Sequence, residues 1–228
     1  AGVGVDNVDM PAATSKGVIV MNTPDANTLS TAEQTITLIL GMARNLPQAD
    51  ASLKAKKWER PKFTGIELYG KTLGVIGLGR IGSEVVKRMQ AFGMKIIGYD
   101  PFVTKEKGEA MGIEIGTVTD VIKNADIITV HVPKTKETTN LITAKEIAEM
   151  KDGVMLVNCA RGGIYNEKDV AEGLKSGKIK KAAFDVYDKE PPFDSELFSV
   201  DPDKIIMAPH LGASTVEAQE NVGKVIVE

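Results

Sequence analysis

The feature that most constrains the fold of this chain is a glycine turn between two apolar patterns. Residues 73–76 have the character of a buried strand, and the sequence then breaks into Gly77-x-Gly79-x-x-Gly82. Apolar residues at helical spacing follow over residues 81–92. Strand, glycine turn and helix in this order are the context in which the spacing binds dinucleotides. The pattern therefore predicts a nucleotide site, and the alternative is a glycine turn kept for packing alone.

Each glycine of this turn has a separate predicted role. Gly77 permits the tight turn, Gly79 lets the backbone approach a pyrophosphate, and Gly82 lets the helix pack closely on the strand. The helix would direct unpaired N–H groups and its positive dipole end at the phosphates. A second apolar run ends in Asp100, 18 residues after Gly82, where a carboxylate can accept hydrogen bonds from a ribose. Because that charge would repel a 2′-phosphate, the expected cofactor is NAD rather than NADP.

Beyond Asp100 the sequence alternates between strand and helix patterns. Strands are predicted near residues 113–115, 126–132, 154–158, 181–186 and 204–207, and helices at residues 117–124, 144–150 and 167–175. With the two strands beside the glycine turn, this gives about seven mostly apolar strands joined by helices. The predicted fold class is α/β, a doubly wound parallel sheet of the Rossmann type with helices on both faces.

The segments outside this alternation are shorter and more varied. A short strand is predicted at residues 17–21, and a capping box from Ser30 to Glu33 is predicted to open a helix over residues 32–45. Apolar side chains on more than one face of that helix indicate burial on both sides, as at a subunit contact. A second capping box, from Ser214 to Glu217, is predicted to open the last helix.

Composition excludes several classes of function. The 228 residues carry a formal charge of −3, which gives no general attraction for nucleic acid or an anionic membrane. No apolar run approaches the roughly 18 residues that span a bilayer. The single cysteine suits a reducing compartment, so a cytoplasmic location is expected. Two histidines and one cysteine, scattered along the chain, give no metal-binding pattern.

Polar residues at the predicted strand ends are the candidates for chemistry, because ligands of open parallel sheets bind there. His210 would move a proton to or from a substrate oxygen. Glu190 would hydrogen-bond the other ring nitrogen, orient it and favour its charged form. Arg161 would hold a substrate carboxylate. The alternative is that Glu190 is a solvated turn residue and that His210 caps the next helix.

Six stretches of the chain, in order, resemble the D-isomer-specific 2-hydroxyacid dehydrogenases, and they span nearly all of it. They are Gly4-Val5-Asp6-Asn7, Trp58-Glu59-Arg60, Gly77 to Gly82, Val157 to Gly163, Asp185-Val186-Tyr187 with Glu190-Pro191-Pro192, and Pro209 to Thr215. The resemblance implies that Arg161, Glu190 and His210 are the catalytic residues. It implies interconversion of a D-2-hydroxyacid and its 2-oxoacid, most closely oxidation of D-3-phosphoglycerate to 3-phosphohydroxypyruvate in serine biosynthesis. It also implies NAD contacts from Val3, Arg80, Ile81, Asp100, Val132, Cys159, Ala160, Arg161, Asp185, His210, Gly212 and Ala213.

Several residues keep two interpretations. His131 is interpreted as a cofactor-pocket or strand-end residue rather than a second acid–base group. Cys159 is expected to be a small buried side chain and not a nucleophile, because no base is spaced to serve it. Asp185 is expected to hydrogen-bond the nicotinamide carboxamide, as the resemblance implies, and the alternative is an aspartate that satisfies nearby N–H groups.

The whole-chain interpretation also has rivals. One is another dehydrogenase of the family, acting on glyoxylate, lactate or formate, and the other is a non-catalytic NADH-binding interaction module. The expected domains are a substrate-domain remnant and hinge at residues 1–27, an NAD-binding domain at 28–213, and the start of a returning helix at 214–228. Such a piece is expected to bind NAD with little turnover, and the full-length protein is expected to be a homo-oligomer, a dimer or tetramer.

Overall fold

The structure, a computed structural model, describes residues 4–5 and 8–227 and contains one sheet of seven parallel strands. The strand order is β3-β2-β1-β4-β5-β6-β7. This confirms the predicted doubly wound parallel sheet. The strands are β1 (Thr72–Ile76), β2 (Lys95–Tyr99), β3 (Glu114–Ile115), β4 (Ile127–Val130), β5 (Val154–Asn158), β6 (Ile179–Phe184) and β7 (Ile205–Met207).

Helices cover both faces of this sheet, and each face has its own apolar core. In the described residues they are α1 (Met10–Ser15), α2 (Thr28–Arg44), α3 (Leu46–Lys54), α4 (Arg80–Ala91), α5 (Lys105–Ala110), α6 (Val118–Asn124), α7 (Ala144–Glu149), α8 (Glu167–Ser176) and α9 (Val216–Val227). Buried side chains of α2 and α4 form one core, and those of α6, α7 and α8 form the other. Both faces of the central strands are therefore buried, which explains their continuous apolar runs.

The strands end level with one another at one edge of the sheet. Ile76 pairs with Tyr99 on one side and Val130 on the other, and the same level continues through Asn158 to Phe184. The residues that follow these strands therefore lie side by side. From β1 the chain runs outward to β2 and β3 on one side and then crosses back to β4 on the other side of β1, so a crevice opens outside the carboxyl ends of β1 and β4.

The first part of the chain departs from the sequence prediction. Residues 17–21 do not form a strand, and three of their apolar side chains, Val18, Ile19 and Met21, are exposed. An extended segment needs a neighbouring strand for its backbone hydrogen bonds, and within the described chain this segment has none. The helices α1, α3 and α5 were not predicted, since they bury few or no side chains.

Helix α2 begins four residues earlier than the capping-box prediction. Its N-cap is Asn27, and the hydroxyls of Ser30 and Thr31 donate to the Gly212 carbonyl oxygen at 2.6 Å and 3.2 Å. A box closed by Ser30 and Glu33 was therefore wrong, because the Ser30 hydroxyl serves a distant loop. The helix buries side chains around much of its circumference, as predicted, since it packs both on β5, β6 and β7 and against α4.

None of the helices in residues 4–5 and 8–227 is long and apolar enough to cross a lipid bilayer.

Candidate functional site

The glycine turn has the geometry that its sequence predicts. Gly77 has φ = 100°, and a Cβ there would lie 2.7 Å from the main chain of His131. A Cβ at Gly82 would lie 2.0 Å from the carbonyl oxygen of Gly77, so a helix residue with any side chain could not approach the turn this closely. A Cβ at Gly79 would meet no heavy atom of the described chain within 4 Å. The turn is tightly packed at Gly77 and Gly82 and open at Gly79.

Asp100 lies beside this turn and already holds it. One carboxylate oxygen accepts from the Leu78 N–H at 2.8 Å, and the other accepts from the Phe102 N–H at 2.8 Å. Each oxygen keeps a further lone pair, which a ribose hydroxyl could use. Arg80, in the first turn of α4, forms a surface ion pair with Asp25. Arg80 therefore lies at the rim of the site, on the outer side of the helix.

Most of the other predicted cofactor residues line one cavity of about 180 Å³, which we call the inner crevice. Ten predicted residues line it: Ile81, His131, Val132, Cys159, Ala160, Arg161, Asp185, His210, Gly212 and Ala213. Asn27, Thr31 and Pro133 complete the lining. The site thus brings together residues separated by as many as 186 positions in sequence, from Asn27 to Ala213.

Two buried polar atoms of the inner crevice have no hydrogen-bond partner among the described residues, Nδ1 of His131 and Oδ1 of Asn27. The other ring nitrogen of His131, Nε2, lies 3.0 Å from the Thr129 hydroxyl. Burial lowers the pKa of His131 to about 4, so its imidazole is neutral near pH 7. An unmatched buried polar atom destabilises a protein unless something satisfies it. The crevice therefore fits a ligand that has its own donors and acceptors, as the amide and hydroxyl groups of NAD would provide.

Asp185 is fully buried at the end of β6 and holds the loop that carries His210. Its carboxylate accepts from the N–H groups of Leu211 and Gly212, both at 2.8 Å, and from the Gln34 amide at 3.3 Å. This is the alternative left open from sequence, an aspartate that satisfies nearby N–H groups. A hydrogen bond from Asp185 to a carboxamide stays a prediction.

Cys159 is buried at the end of β5, and burial raises the pKa of its thiol to about 12. The thiolate is the nucleophilic form of cysteine, and at this pKa it is scarcely populated near pH 7. This agrees with the interpretation of Cys159 as a small lining residue.

The three residues predicted to be catalytic lie together beside the inner crevice. Nδ1 of His210 lies 2.8 Å from Oε2 of Glu190, and Oε1 of Glu190 accepts from the Tyr187 N–H at 3.1 Å. The Arg161 guanidinium donates to the Ala160 carbonyl oxygen at 2.7 Å. His210 has φ = 56°, an uncommon value for a residue with a side chain, and the hydrogen bonds that the N–H groups of the next two residues donate to Asp185 support it.

A second cavity, of about 750 Å³, adjoins the first, and we call it the outer cleft. Glu190 lines the outer cleft, and four residues line both cavities: Asn27, Arg161, His210 and Ala213. Two ligands, one in each cavity, would therefore both lie beside Arg161 and His210, in the wall that the cavities share.

The other predicted residues that the structure describes lie outside the two cavities, and both cavities have lining residues that were not predicted. Val3 lies outside the described residues, although its neighbour Gly4 lines the outer cleft. Gly77, Gly79, Gly82, Asp100 and Arg80 lie at the glycine turn and do not line either cavity. The sequence interpretation missed the lining residues Asn27, Thr31, Pro133, Lys134, Gly162, Val186, Tyr187 and Asp188. Within the described chain, no group of three or more His, Cys, Asp and Glu side chains could hold a metal ion.

Comparison with protein families gives a match over most of the chain. The family described as "D-isomer specific 2-hydroxyacid dehydrogenase, NAD binding domain" matches residues 36–212. Curated relatives include proteins named D-3-phosphoglycerate dehydrogenase from Methanocaldococcus jannaschii, 56% identical, and from Bacillus subtilis, 51% identical, each aligned over 100% of this chain. The chain spans 43% of the length of both relatives.

Solved structures give the same result for the fold. The D-lactate dehydrogenase of Aquifex aeolicus, described as complexed with NAD and lactic acid, is 30% identical, with a TM-score of 0.90 over 99% of this chain and 72% of that one. A glyoxylate reductase from Paecilomyes thermophila is 34% identical, with a TM-score of 0.89 over 99% of this chain and 68% of that one.

Proposed function

This chain belongs to the D-isomer specific 2-hydroxyacid dehydrogenases, and we propose that it is the NAD-binding part of an enzyme that oxidises D-3-phosphoglycerate to 3-phosphohydroxypyruvate. The substrate assignment is supported by the curated relatives that carry the name D-3-phosphoglycerate dehydrogenase, which are more similar in sequence than the glyoxylate and lactate enzymes of known structure. The reaction belongs to the complete protein, including any sequence that its gene encodes beyond these 228 residues.

The observation that carries this proposal is the wall shared by the two cavities. Arg161 and His210 line both the inner crevice and the outer cleft. Hydride transfer needs the donor carbon of one ligand in contact with the acceptor carbon of another, with an acid–base group beside the reacting oxygen. NAD bound in the inner crevice would supply the hydride acceptor, and the hydroxyacid would occupy the outer cleft.

His210 is proposed to move the proton. The Glu190 carboxylate only accepts hydrogen bonds, so Nδ1 of His210 carries a hydrogen and donates it to Glu190 Oε2. Nε2 is then the nitrogen that accepts the proton of the substrate hydroxyl as the hydride leaves the same carbon. Glu190 orients the ring and stabilises the imidazolium that forms. In the reverse direction, His210 returns the proton to the oxygen of the 2-oxoacid.

Arg161 is proposed to hold the substrate by its carboxylate. Its guanidinium presents donors in a planar fork, which matches the two oxygens of a carboxylate and polarises the adjacent carbonyl oxygen. One hydroxyacid and one NAD⁺ would give one oxoacid, one NADH and one proton, which passes through His210 to water.

The cofactor is proposed to be held mainly by the turn and by the strand ends. Gly79 leaves space for a pyrophosphate at the first turn of α4, and Asp100 offers its remaining lone pairs to the ribose. Val3, Arg80, Ile81, His131, Val132, Cys159, Ala160, Asp185, Gly212 and Ala213 are proposed to contact other parts of NAD. The negative charge of Asp100 favours NAD over NADP.

We propose that residues 28–213 form the NAD-binding domain and that residues 1–27 are the remnant of a substrate domain and its hinge. Residues 214–228 would begin the helix that returns to the substrate domain. The groups that orient a phosphate-bearing substrate would lie in the substrate domain, so the 228-residue chain alone is expected to show little turnover. A homo-oligomer is proposed for the complete protein.

The test of this function is the His210→Ala variant of the complete protein, assayed with D-3-phosphoglycerate and NAD⁺. Removing the general base should lower kcat by about 10²–10⁴-fold. The NADH dissociation constant should change little, because the glycine turn and Asp100 are untouched. D-Lactate and formate assayed with NAD⁺, and glyoxylate assayed with NADH because it is a 2-oxoacid, serve as comparison substrates, and a higher kcat/KM for one of them would reassign the substrate. An unmodified protein that binds NADH but turns over none of these acids would favour the non-catalytic binding module instead.

A further inference from the structure

Glu190 is exposed, yet two contacts fix both of its carboxylate oxygens. Oε2 meets His210, and Oε1 accepts from the main-chain N–H of Tyr187, three residues earlier. The carboxylate therefore lies where the Tyr187 peptide directs it. The segment 186–192, which we call the Glu190 loop, is the structure whose shape decides whether Glu190 reaches the histidine.

The base of the Glu190 loop is anchored in the core. Tyr187 is buried, and its hydroxyl is 3.1 Å from the Phe184 carbonyl oxygen and 2.9 Å from that of Ala208. The Tyr187 main chain packs directly on Gly162, where a Cβ would lie 1.8 Å from the Tyr187 carbonyl oxygen. These contacts fix the side chain and the carbonyl group of Tyr187. The exposed part of the loop, from Asp188 onward, must be held by other groups.

Glu167 holds that exposed part. It is the first residue of α8, and its Oε1 accepts from the Asp188 N–H at 2.7 Å. Its Oε2 accepts from the hydroxyl of Ser195, three residues after the end of the loop. The Asp188 N–H belongs to the peptide that follows Tyr187, so Glu167 and Glu190 bind two consecutive N–H groups of the same chain segment. A second contact, between Lys134 Nζ and Asp188 Oδ1 at 2.8 Å, involves an exposed ion pair and contributes less.

We propose that Glu167 is a positioning residue for the reaction, because it keeps the Glu190 loop in the shape that places Glu190 against His210. This inference rests on the proposed function. Glu167 lines neither the inner crevice nor the outer cleft and acts only through Glu190. A carboxylate suits the task, since it offers one oxygen to Asp188 within the loop and the other to Ser195, which follows the loop.

A glutamine at position 167 provides an informative comparison. Its single carbonyl oxygen can accept from the Asp188 N–H, while its amide can donate to the Ser195 oxygen. Glu167→Gln should therefore retain the loop, and Glu167→Ala should release it. Glu146 gives a matched control, because it also accepts from main chain and side chain at a helix start, from the N–H and hydroxyl of Thr143 at 3.0 Å and 2.6 Å. It lies on α7 and makes none of these contacts with the Glu190 loop.

The experiment measures kcat, its pH dependence, the NADH dissociation constant and the free energy of unfolding for the complete protein. Glu167→Ala should lower kcat by about 10- to 100-fold through misplacement of Glu190. Its pH profile should become that of Glu190→Gln, in which the arm assigned to His210 is expected at lower pH because the imidazolium loses its negative neighbour. NADH affinity should stay unchanged within about twofold. Glu167→Gln should remain close to the unmodified protein. Glu146→Ala should lower the free energy of unfolding and leave kcat and the pH profile unchanged.

A double-mutant cycle separates positioning from a general structural effect. If Glu167 acts through Glu190, adding Glu167→Ala to Glu190→Gln should lower kcat by less than about twofold. A full additional loss in the double variant, or an unchanged kcat and pH profile in Glu167→Ala, would overturn the proposal. Should Glu167→Ala fail to fold, Ser195→Ala removes one of the two loop contacts and is read by the same cycle. Absence of any effect from Glu190→Gln would instead contradict the proposed function, and the two failures are thus distinguishable.

Discussion

Single side chains around the two cavities differ in how far their hydrogen-bonding capacity is already used. Asp100 and Asp185 each accept main-chain N–H groups with both carboxylate oxygens, so each shapes the turn beside it. His131 and Asn27 each leave one buried polar atom without a partner in the described structure. The aspartates therefore preorganise the site. A ligand would gain most by forming hydrogen bonds with the unmatched atoms of His131 and Asn27.

The burial of His131 predicts a pH-dependent stability. Its pKa in the folded chain is about 4, below the ordinary 6.5, because the neutral ring is the form that burial favours. Between these values the unfolded chain binds a proton that the folded chain does not, so stability is complete above pH 6.5 and is lost as the pH falls towards 4. His131→Asn keeps a polar group near Nδ1 but cannot titrate.

Urea unfolding at pH 7 and pH 5 measures this effect. The drop in the free energy of unfolding between the two pH values should be smaller in His131→Asn by about 1–2 kcal/mol, because at pH 5 the unfolded chain binds a proton at this position and the folded chain does not. Equal drops in the two proteins would show that His131 titrates normally in the folded chain.

At this scale the sequence predicted residues that carry distinctive chemistry and missed those defined by the fold. Arg161, Glu190 and His210 could be selected because charged and imidazole groups follow apolar strands, and the family resemblance supported them. Asn27 sits in an ordinary polar turn, and only the packing of α2 against the 210–213 loop brings it to both cavities. Glu167 was read as a helix residue, because its contacts lie 21 and 28 positions away.

At the scale of elements, the central strands were predictable and the polar helices were not. β5 has the predicted bounds, and the other buried strands differ from prediction by a few residues, since each is a continuous apolar run. α1 and α5 bury almost no apolar surface, so their sequences contain no periodic signal. The true start of α2 depended on the Gly212 carbonyl oxygen, which a local capping rule cannot anticipate.

The unit of β1, glycine turn and α4 supplies an element-scale prediction. Gly82→Ala should lower the free energy of unfolding by about 1–3 kcal/mol, because its Cβ would collide with the Gly77 carbonyl oxygen. Gly79→Ala should change it by less than about 0.5 kcal/mol, because φ is −67° and a Cβ there has open space. Its methyl group should nevertheless weaken NADH binding by about tenfold or more, since it fills the space that a pyrophosphate approaches.

Urea unfolding measures the stability of Gly82→Ala and Gly79→Ala, and calorimetry measures their affinity for NADH. Gly82→Ala should lower the free energy of unfolding, whereas Gly79→Ala should weaken NADH binding and leave the free energy of unfolding nearly unchanged. Unchanged NADH affinity in Gly79→Ala would mean that the pyrophosphate does not lie at this turn.

For the whole molecule, the arrangement of strands explains why distant sequence segments form one site. Six strands end level at one edge, so the glycine turn, Asp100, His131, Cys159 and Asp185 follow from the parallel sheet itself. The loops beyond the strands then add Glu190 and His210. The fold could be predicted from the alternation of apolar runs, whereas the shared wall of the two cavities depends on loop shapes that local sequence does not encode.

The central claim is that these 228 residues form a nearly complete NAD pocket outside the ends of β1 and β4. The direct measurement is a fluorescence titration of the purified 228-residue chain with NADH, once cooperative unfolding has shown that the chain is folded. We expect saturable binding of one NADH per chain, displaced by NAD⁺ and weakened when Asp100 is replaced by alanine. A folded chain that shows no saturable NADH binding would contradict this claim.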